Sequence, residues 1–259
     1  MGLIMKILYF TATGNCLSVA KCFDAELLSI PKMINNNIYK IEDDVIGIVY
    51  PVYAFSVPNI VRKYLSKCKI KANYVFVIAT YGNTSFGSLH EMKKLLEANG
   101  NKADYYSSIL MVDNYLPFFD IEKQLKMLKE KDIDNHLNKI VEEVNTKTHK
   151  QENCSWFNNL LSSIGSKVIG QIEKQTPKVL YVNDECISCE VCKKVCPVSN
   201  ITQELNKKPS FGNNCEGCLA CINNCPQGAI LMKTQRSSKR FRNPNVSLNE
   251  IIESNTIYN

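Results

Sequence analysis

Signals that would assign this chain to a membrane or a secretory class are absent from its sequence. No apolar run approaches the 18 or more residues of a membrane-spanning helix. The apolar run Leu3 to Phe10 is short and is broken by Lys6. It has no basic stretch before it and no small-residue cleavage site after it, so it is not a secretory signal. We therefore expect a cytoplasmic protein without a membrane span.

Nucleotide-binding loops and concentrated charge are absent as well. Neither a G-x4-G-K-[ST] loop nor a G-x-G-x-x-G loop follows any predicted strand, so ATP and NAD are poorly supported as ligands. The 31 Lys and Arg against 25 Asp and Glu give a net charge of +6 that is scattered along the chain. A small basic group follows the last cysteine: Lys233, Arg236, Lys239, Arg240 and Arg242. We interpret it as part of a solvated tail and expect no nucleic-acid partner.

With 259 residues, the chain is long enough for two globular modules. In the first 115 residues apolar runs alternate with helix-like stretches, which is typical of a parallel sheet covered by helices. Strands are predicted at Leu3 to Phe10, Val45 to Tyr50, Tyr74 to Ala79 and about Tyr105 to Val112, with a weaker one at Ile38 to Ile41 or just before it. Helices are predicted at Asn15 to Phe23, Pro58 to Ser66 and Gly87 to Asn99.

The second half of the chain divides into three further segments. Ile121 to Lys147 has apolar residues at helical spacing and predicts an amphipathic helix, or a helix pair, on the sheet. Asn153 to Lys174 predicts a connecting helix whose apolar stripe belongs to the first core or docks the second module. Pro177 marks a boundary. We therefore expect a first module at 1–150, a connecting helix at 151–178, a cysteine-rich module at 179–235 and a loosely held tail at 236–259.

Eight of the twelve cysteines form two copies of the pattern C-x2-C-x2-C-x3-C-P. Three cysteines at this spacing wrap one 4Fe-4S cluster from a single turn, and the fourth ligand comes from the other copy. We assign one cluster to Cys186, Cys189, Cys192 and Cys225 and the other to Cys215, Cys218, Cys221 and Cys196. Zinc would leave the third cysteine of each copy without a role, and a reducing compartment disfavours disulfides.

Four cysteines fit no ligand pattern: Cys16, Cys22, Cys68 and Cys154. Cys22 and Cys68 are best explained as small buried hydrophobic residues. Within the ligand turns, we expect Gly217 and Gly228 to let backbone N–H groups approach a sulfur.

Three loops follow predicted strands of the first module, at the edge where ligands bind in open α/β sheets. The first is Thr11, Ala12, Thr13, Gly14, Asn15 and Cys16, where backbone N–H groups and hydroxyls could hold a phosphate without Lys or Arg. The second contains Pro51, Val52, Tyr53, Ala54 and Phe55. The third contains Thr80, Tyr81, Gly82, Asn83, Phe86 and Gly87. Aromatic residues in the last two loops could stack on a planar ring.

These loops resemble those of flavodoxins, whose phosphate loop reads roughly [S/T]-x-T-G-N-[T/S] and whose flavin lies between the loops after the third and fourth strands. Cys16 replaces the usual hydroxyl residue. The cysteine segment is similar to bacterial-type two-cluster ferredoxins, with an enlarged loop between Cys196 and Cys215. The chain as a whole resembles the flavodoxin-ferredoxin fusion proteins of anaerobic bacteria and archaea.

The resemblance implies an α/β flavodoxin-like fold with a doubly wound, parallel, five-stranded sheet of order 2-1-3-4-5, followed by a small α+β two-cluster ferredoxin domain. It implies FMN bound by the three loops, with Gly82 freeing a carbonyl to face the flavin, and two 4Fe-4S clusters. The implied function is electron transfer between these cofactors and external redox protein partners. Acids and lysines balance near the cluster cysteines, so we expect a basic or neutral docking face.

Two other functions stay open. One is an FMN-dependent reductase of a small organic substrate, with Tyr53, Tyr81 and His90 as candidate proton donors. The other is a first module that binds no flavin and serves as a scaffold.

Overall fold

In a computed structural model the described residues are 5–85, 87–129, 131–151 and 156–256. Phe86, Cys154 and the start of the first predicted strand at Leu3 lie outside them. The strands are β1 (Met5–Tyr9), β2 (Glu26–Ser29), β3 (Lys40–Glu42), β4 (Val45–Pro51), β5 (Lys69–Lys71), β6 (Tyr74–Tyr81), β7 (Tyr105–Leu110), β8 (Leu180–Val182), β9 (Ile201–Thr202), β10 (Ser210–Phe211) and β11 (Ile230–Met232). The helices are α1 (Asn15–Ala20), α2 (Ile30–Asn35), α3 (Asn59–Leu65), α4 (Ser88–Ala98), α5 (Ile121–Lys129), α6 (Ile133–Asn145), α7 (Trp156–Val179), α8 (Val191–Lys194), α9 (Ala220–Asn223) and α10 (Leu248–Asn255).

The main sheet has five parallel strands in the order β2-β1-β4-β6-β7. Counted within this sheet alone, the order is 2-1-3-4-5, which confirms the predicted fold. Separate apolar cores cover its two faces, one containing Ile7 and Phe76 and the other Leu8 and Tyr64. Strands buried on both faces read as continuous apolar runs, which is why β4 and β6 were predictable.

The second strand of the sheet is not where the weak apolar run predicted it. It is β2, which pairs with β1 at the sheet edge and is partly exposed, so its sequence carries little apolar signal. The predicted run at Ile38 to Ile41 instead overlaps β3, which pairs with β5 in a separate two-stranded sheet.

The helical segments after the sheet divide between two cores. The predicted helix pair is present as α5 and α6. Helix α6 packs Ile140 and Val144 on the sheet, whereas α5 packs Leu125 and Leu128 on a third core shared with the cysteine-rich module. Helix α7 runs past the predicted boundary and contains Pro177 in its last turn. No helix in the described ranges is long and apolar enough to cross a membrane.

The C-terminal segment is not a loosely held tail. Helix α10 begins with a capping box between Ser247 and Glu250, and its Ile251 is buried in the first core. Lys21 pairs with Glu250 at 2.6 Å. Residues 236–256 therefore fold back onto β1 and α1, and the apolar spacing of one short helix was too weak a signal to predict this.

Candidate functional site

The three predicted flavin loops meet at a cleft of about 260 Å³ beyond the carboxyl ends of β1, β4 and β6. Most of the predicted residues line it: Thr11, Ala12, Thr13, Asn15, Cys16, Pro51, Val52, Tyr53, Ala54, Phe55, Thr80, Tyr81, Gly82 and Asn83. Gly14 and Gly87 are not among the described lining residues. His90 is buried on α4 and is not among them either, so of the three candidate proton donors only Tyr53 and Tyr81 reach the cleft.

The phosphate loop turns sharply at Gly14, whose φ of 98° favours glycine. Thr11 Oγ1 accepts a hydrogen bond from Gly14 N at 3.0 Å, and Thr13 Oγ1 accepts one from Asn114 Nδ2 at 2.5 Å. Because both hydroxyl oxygens accept, their own hydrogens are available to a ligand. Burial raises the pKa of Cys16 to about 12, so this thiol stays neutral and would not repel a phosphate.

The second loop is a tight two-residue turn held by reciprocal backbone hydrogen bonds between Tyr53 and Ser56, at 3.0 and 2.9 Å. Ala54 and Phe55 both have positive φ, 43° and 67°. Two consecutive left-handed residues without glycine are strained, and such strain concentrates at functional sites. The turn holds both residues against the cleft.

The third loop depends on close packing at Gly82. A Cβ there would lie 2.2 Å from Asp113 Cβ and 2.5 Å from Asp113 Cα. Gly82 is not in the left-handed region, so this close approach is what requires glycine at this position. Gly87 caps α4 instead of reaching the cleft.

Sequence patterns missed the other walls of the cleft. They come from residues 112–115, 118 and 119, from α7 through Val168, Ile169 and Ile172, and from the second cysteine turn through residues 216–219. The aromatic spacing of Tyr115, Phe118 and Phe119 was the one available signal. Phe55, Phe118 and Val168 are exposed as well as lining, so the mouth of the cleft is apolar.

Two acids are the charged side chains among the described residues that line the cleft. Burial raises the pKa of Asp113 to about 6, although Tyr115 N donates to its Oδ1 at 3.1 Å. Burial and the neighbouring Glu173 raise the pKa of Glu216 to about 7, against a hydrogen bond from Ile60 N at 3.1 Å. Near neutral pH the cleft therefore carries less negative charge than its composition indicates.

The two cysteine turns repeat one backbone conformation. Ser188 and Glu190 in the first turn, and Gly217 and Leu219 in the second, all have φ between 56° and 64°. A short helix then follows in each, α8 and α9, and after the fourth cysteines Ser199 and Gly228 again have positive φ. The matching turns give each copy the same arrangement of three sulfurs.

The structure brings the first three cysteines of copy one together with the last cysteine of copy two. Cys186, Cys189, Cys192 and Cys225 line one small cavity of about 20 Å³. Burial, together with the nearby sulfurs of Cys225, Cys189 and Cys186, raises the pKa of Cys192 to about 12. We call these four the outer set, because Cys189 is exposed.

The remaining four cysteines form an inner set next to the cleft: Cys196, Cys215, Cys218 and Cys221. Burial raises the pKa of Cys218 well above its ordinary value, and the sulfurs of Cys215, Cys196 and Cys221 add to the effect. Gly217 N donates to Cys215 Sγ at 3.3 Å, as expected, and Asn200 N donates to Cys196 Sγ at 3.2 Å. Gly228 N instead donates to the carbonyl oxygen of Cys225 at 3.1 Å.

Two of the described cysteines outside both sets differ in burial. Cys68 is buried, as predicted. Cys22 is exposed, contrary to the prediction, because it follows the last turn of α1, where its Sγ donates to Ser18 O at 3.4 Å. No group of three or more His, Cys, Asp or Glu side chains in the described part of the chain forms a site for a single metal ion.

Comparison with known proteins identifies the cysteine-rich module. Residues 178–226 match the family described as 4Fe-4S dicluster domain. The pyruvate synthase subunit PorD of Methanocaldococcus jannaschii is 39% identical over 57 residues, which are 22% of this chain and 66% of that protein. The chain thus spans just under two thirds of the length of this curated relative.

Two similar solved structures each align with less than half of the chain. One is the two-electron reduced flavodoxin of Megasphaera elsdenii, with 19% identity and a TM-score of 0.35, covering 47% of this chain and 95% of that one. Another is a flavoprotein from Lactobacillus acidophilus in complex with FMN, with 14% identity and a TM-score of 0.31, covering 41% and 93%.

Both parts expected from the sequence are present. The chain carries a five-stranded parallel sheet with the flavodoxin strand order, followed by a 4Fe-4S dicluster domain at residues 178–226.

Proposed function

We propose that this protein transfers electrons between FMN, held in the cleft, two 4Fe-4S clusters, held by the inner and outer cysteine sets, and external redox protein partners. One observation carries the proposal: Cys218 of the inner set and its neighbours Gly217 and Leu219 are part of the cleft wall. The three predicted flavin loops supply the opposite walls. Flavin and cluster chemistry together would convert between two-electron and one-electron transfer.

The cysteine sets fit the proposed clusters by their chemistry and their grouping. Each set offers four thiols, which is the donor number of a 4Fe-4S cluster, and each combines three cysteines of one copy with the fourth of the other. The N–H groups that donate to Cys196 and Cys215 sulfurs would stabilise a negatively charged cluster. Because burial raises the pKa of several thiols, loading would release protons.

The cleft fits FMN by its polarity. Thr11 and Thr13 can donate hydroxyl hydrogens to a phosphate, and the neutral thiol of Cys16 adds no charge beside it. The ring-facing walls are apolar or aromatic, as in most cofactor sites. Tyr53 and Tyr81 come from the two loops that follow β4 and β6.

The arrangement of the two sets suggests where a partner docks. The outer set has the exposed Cys189, and Ile187 beside it is 61% exposed. Ser188 Oγ donates to Lys207 O at 3.0 Å, which holds the loop carrying Leu205, itself 90% exposed, against the same turn. We propose this outer end as the docking face. Its charges are mostly paired, as in Lys208 with Asp184, Lys193 with Glu190 and Lys207 with Glu204.

The paired charges of the proposed docking face indicate the kind of partner. A face with paired charges and an apolar centre fits a protein that docks by contact and not by long-range attraction. The relative in Methanocaldococcus jannaschii is named as a pyruvate synthase subunit, which supports a protein partner for the dicluster domain.

A second candidate function is reduction of a small organic molecule at the cleft. The observation that favours it is the exposed apolar mouth at Phe55, Phe118 and Val168, with the acid Asp113 inside. To test this function, turnover is measured after reduced protein is mixed anaerobically with quinones, nitro compounds and disulfides. Turnover that saturates with one small molecule would favour the reductase over the carrier.

The proposed function is tested on protein purified anaerobically. We expect about eight irons per chain, and one FMN released by acid. Iron far below that content with zinc in its place would end the cluster proposal. If the protein contains about eight irons per chain but releases no FMN, the cluster proposal stands and the first module is a scaffold that binds no flavin.

A further inference from the structure

Three consecutive backbone carbonyl oxygens of the phosphate loop accept hydrogen bonds from asparagines distant in sequence. The pairs are Asn255 Nδ2 to Thr11 O at 3.0 Å, Asn224 Nδ2 to Ala12 O at 3.1 Å, and the backbone N of Asn243 to Thr13 O at 2.8 Å. We call these three residues the asparagine clamp. None of them is among the described residues that line the cleft, so the loop is held from outside.

The clamp is buried and its orientation is determined. All three asparagines are less than 8% exposed. Among the described residues no group donates to the buried Oδ1 atoms of Asn224 and Asn255, whereas both amide nitrogens donate. The orientation of each amide follows from its partner, because only Nδ2 can donate to a carbonyl oxygen.

The chemistry of an anion site explains why these carbonyls need donors. The phosphate loop contains no Lys or Arg, so a bound phosphate would depend on N–H groups and hydroxyls. A carbonyl oxygen turned toward that phosphate would repel it. Engaging the three carbonyls from outside the cleft removes this repulsion before the anion arrives. Asn243 binds the phosphate loop at a second point, because its Nδ2 donates to Asn15 Oδ1 at 3.1 Å.

The clamp is continuous with the dicluster domain. Asn224 directly precedes Cys225 of the outer set, and its Nδ2 also donates to Ala220 O at 3.0 Å. The neighbouring Asn223 Oδ1 accepts from the N of Phe241, two residues before Asn243, at 3.1 Å. A short segment therefore joins a proposed cluster ligand to Asn224 and, through Phe241, to the chain next to Asn243.

We propose that Asn224, Asn243 and Asn255 are positioning residues that hold the phosphate loop in its anion-binding conformation, and that Asn224 links that conformation to iron loading at Cys225. The inference rests on the proposed function for the identity of the anion, the phosphate group of FMN. The hold on the loop itself stands on the hydrogen bonds alone.

The test compares amide hydrogen exchange in the full-length, iron-loaded protein without FMN. Asn224→Ala and Asn255→Ala should each speed exchange at residues 11–16 by about 10-fold and weaken FMN binding by about as much. Asn73→Ala removes an exposed asparagine that donates to Asp44, and it should change neither. If an alanine variant does not fold, Asn255→Leu keeps a side chain of similar size without a donor and makes the same comparison.

Loop exchange at the wild-type rate in folded variants would overturn the clamp. Wild-type exchange that is equal in iron-loaded and iron-free protein would overturn the link to Cys225. Wild-type protein that binds no FMN would refute the proposed function, yet the exchange comparison would still decide on the clamp.

Discussion

Helix α7 approaches the strained second loop through Gly165, and this contact predicts the effect of one added methyl group. A Cβ at Gly165 would lie 2.3 Å from Ala54 O, well inside the 3.0 Å below which Cβ contacts are essentially never found. Gly170 lies five residues further along the same helix, and a Cβ there would meet nothing within 4 Å. Gly170→Ala is therefore a matched control for Gly165→Ala.

The magnitudes separate the two variants. Both gain about 1 kcal/mol of helix propensity. Gly165→Ala also forces the helix or the loop to move and should lose about 1–3 kcal/mol to overpacking. We therefore expect Gly170→Ala to stabilise the protein and Gly165→Ala to be less stable than Gly170→Ala by about 1–3 kcal/mol. Because α7 lines the cleft, only Gly165→Ala should weaken FMN binding.

The assay is urea unfolding of anaerobic, iron-loaded protein followed by circular dichroism, with FMN affinity measured by fluorescence titration. Equal unfolding free energies and equal FMN affinities for the two variants would refute the close approach of α7 to the loop.

Four further predictions concern strain, pH, ligation and docking. Ala54→Gly relieves a left-handed residue and should raise the unfolding free energy by a few tenths to about 1 kcal/mol; a loss of stability would contradict the strain. Burial raises the pKa of Asp113 to about 6 from an unfolded value of 3.8, so wild-type stability should fall as pH rises from about 4 to 6. Asp113→Asn should match the wild type below that window and be more stable by about 1–3 kcal/mol above it, as measured by urea unfolding at pH 3.5 and 7.5; parallel profiles would contradict this. Cys225→Ser should lower iron from about eight to about four per chain, while the exposed Cys22→Ser keeps all of it; equal iron in both would refute the crossed ligand set. Partner reduction should change little in rate between low and 0.5 M salt, because the charges of the outer face are paired; a steep decline would contradict the docking face.

Short sequence patterns predicted the elements that depend only on residues close together in the chain. The spacing of Cys186, Cys189 and Cys192 specifies one turn, and the buried strands β4 and β6 read as continuous apolar runs. Edge strand β2 was missed because it is only four residues long and has just two apolar residues, Leu27 and Leu28, both partly exposed. The helix end at Pro177 was misplaced because α7 continues two residues beyond this proline, to Val179.

The rest of the candidate site depends on contacts between distant segments. Val168 on α7, Asp113 after β7 and Cys218 in the dicluster domain share one cleft, and no sequence pattern relates them. The asparagine clamp is a still clearer case, because Asn255 reaches Thr11 across 244 residues. The C-terminal segment is polar in sequence, which predicts a solvated tail. Only the folded structure shows that its residues Asn243 and Asn255 are buried.

Anaerobic redox titration followed by EPR and flavin absorbance tests the central claim most directly. A chain that joins a flavin site to two cluster sites should take up about four electrons, one at each cluster and two at the flavin. A total of about two electrons, with both assigned to clusters or both to flavin, would contradict the account.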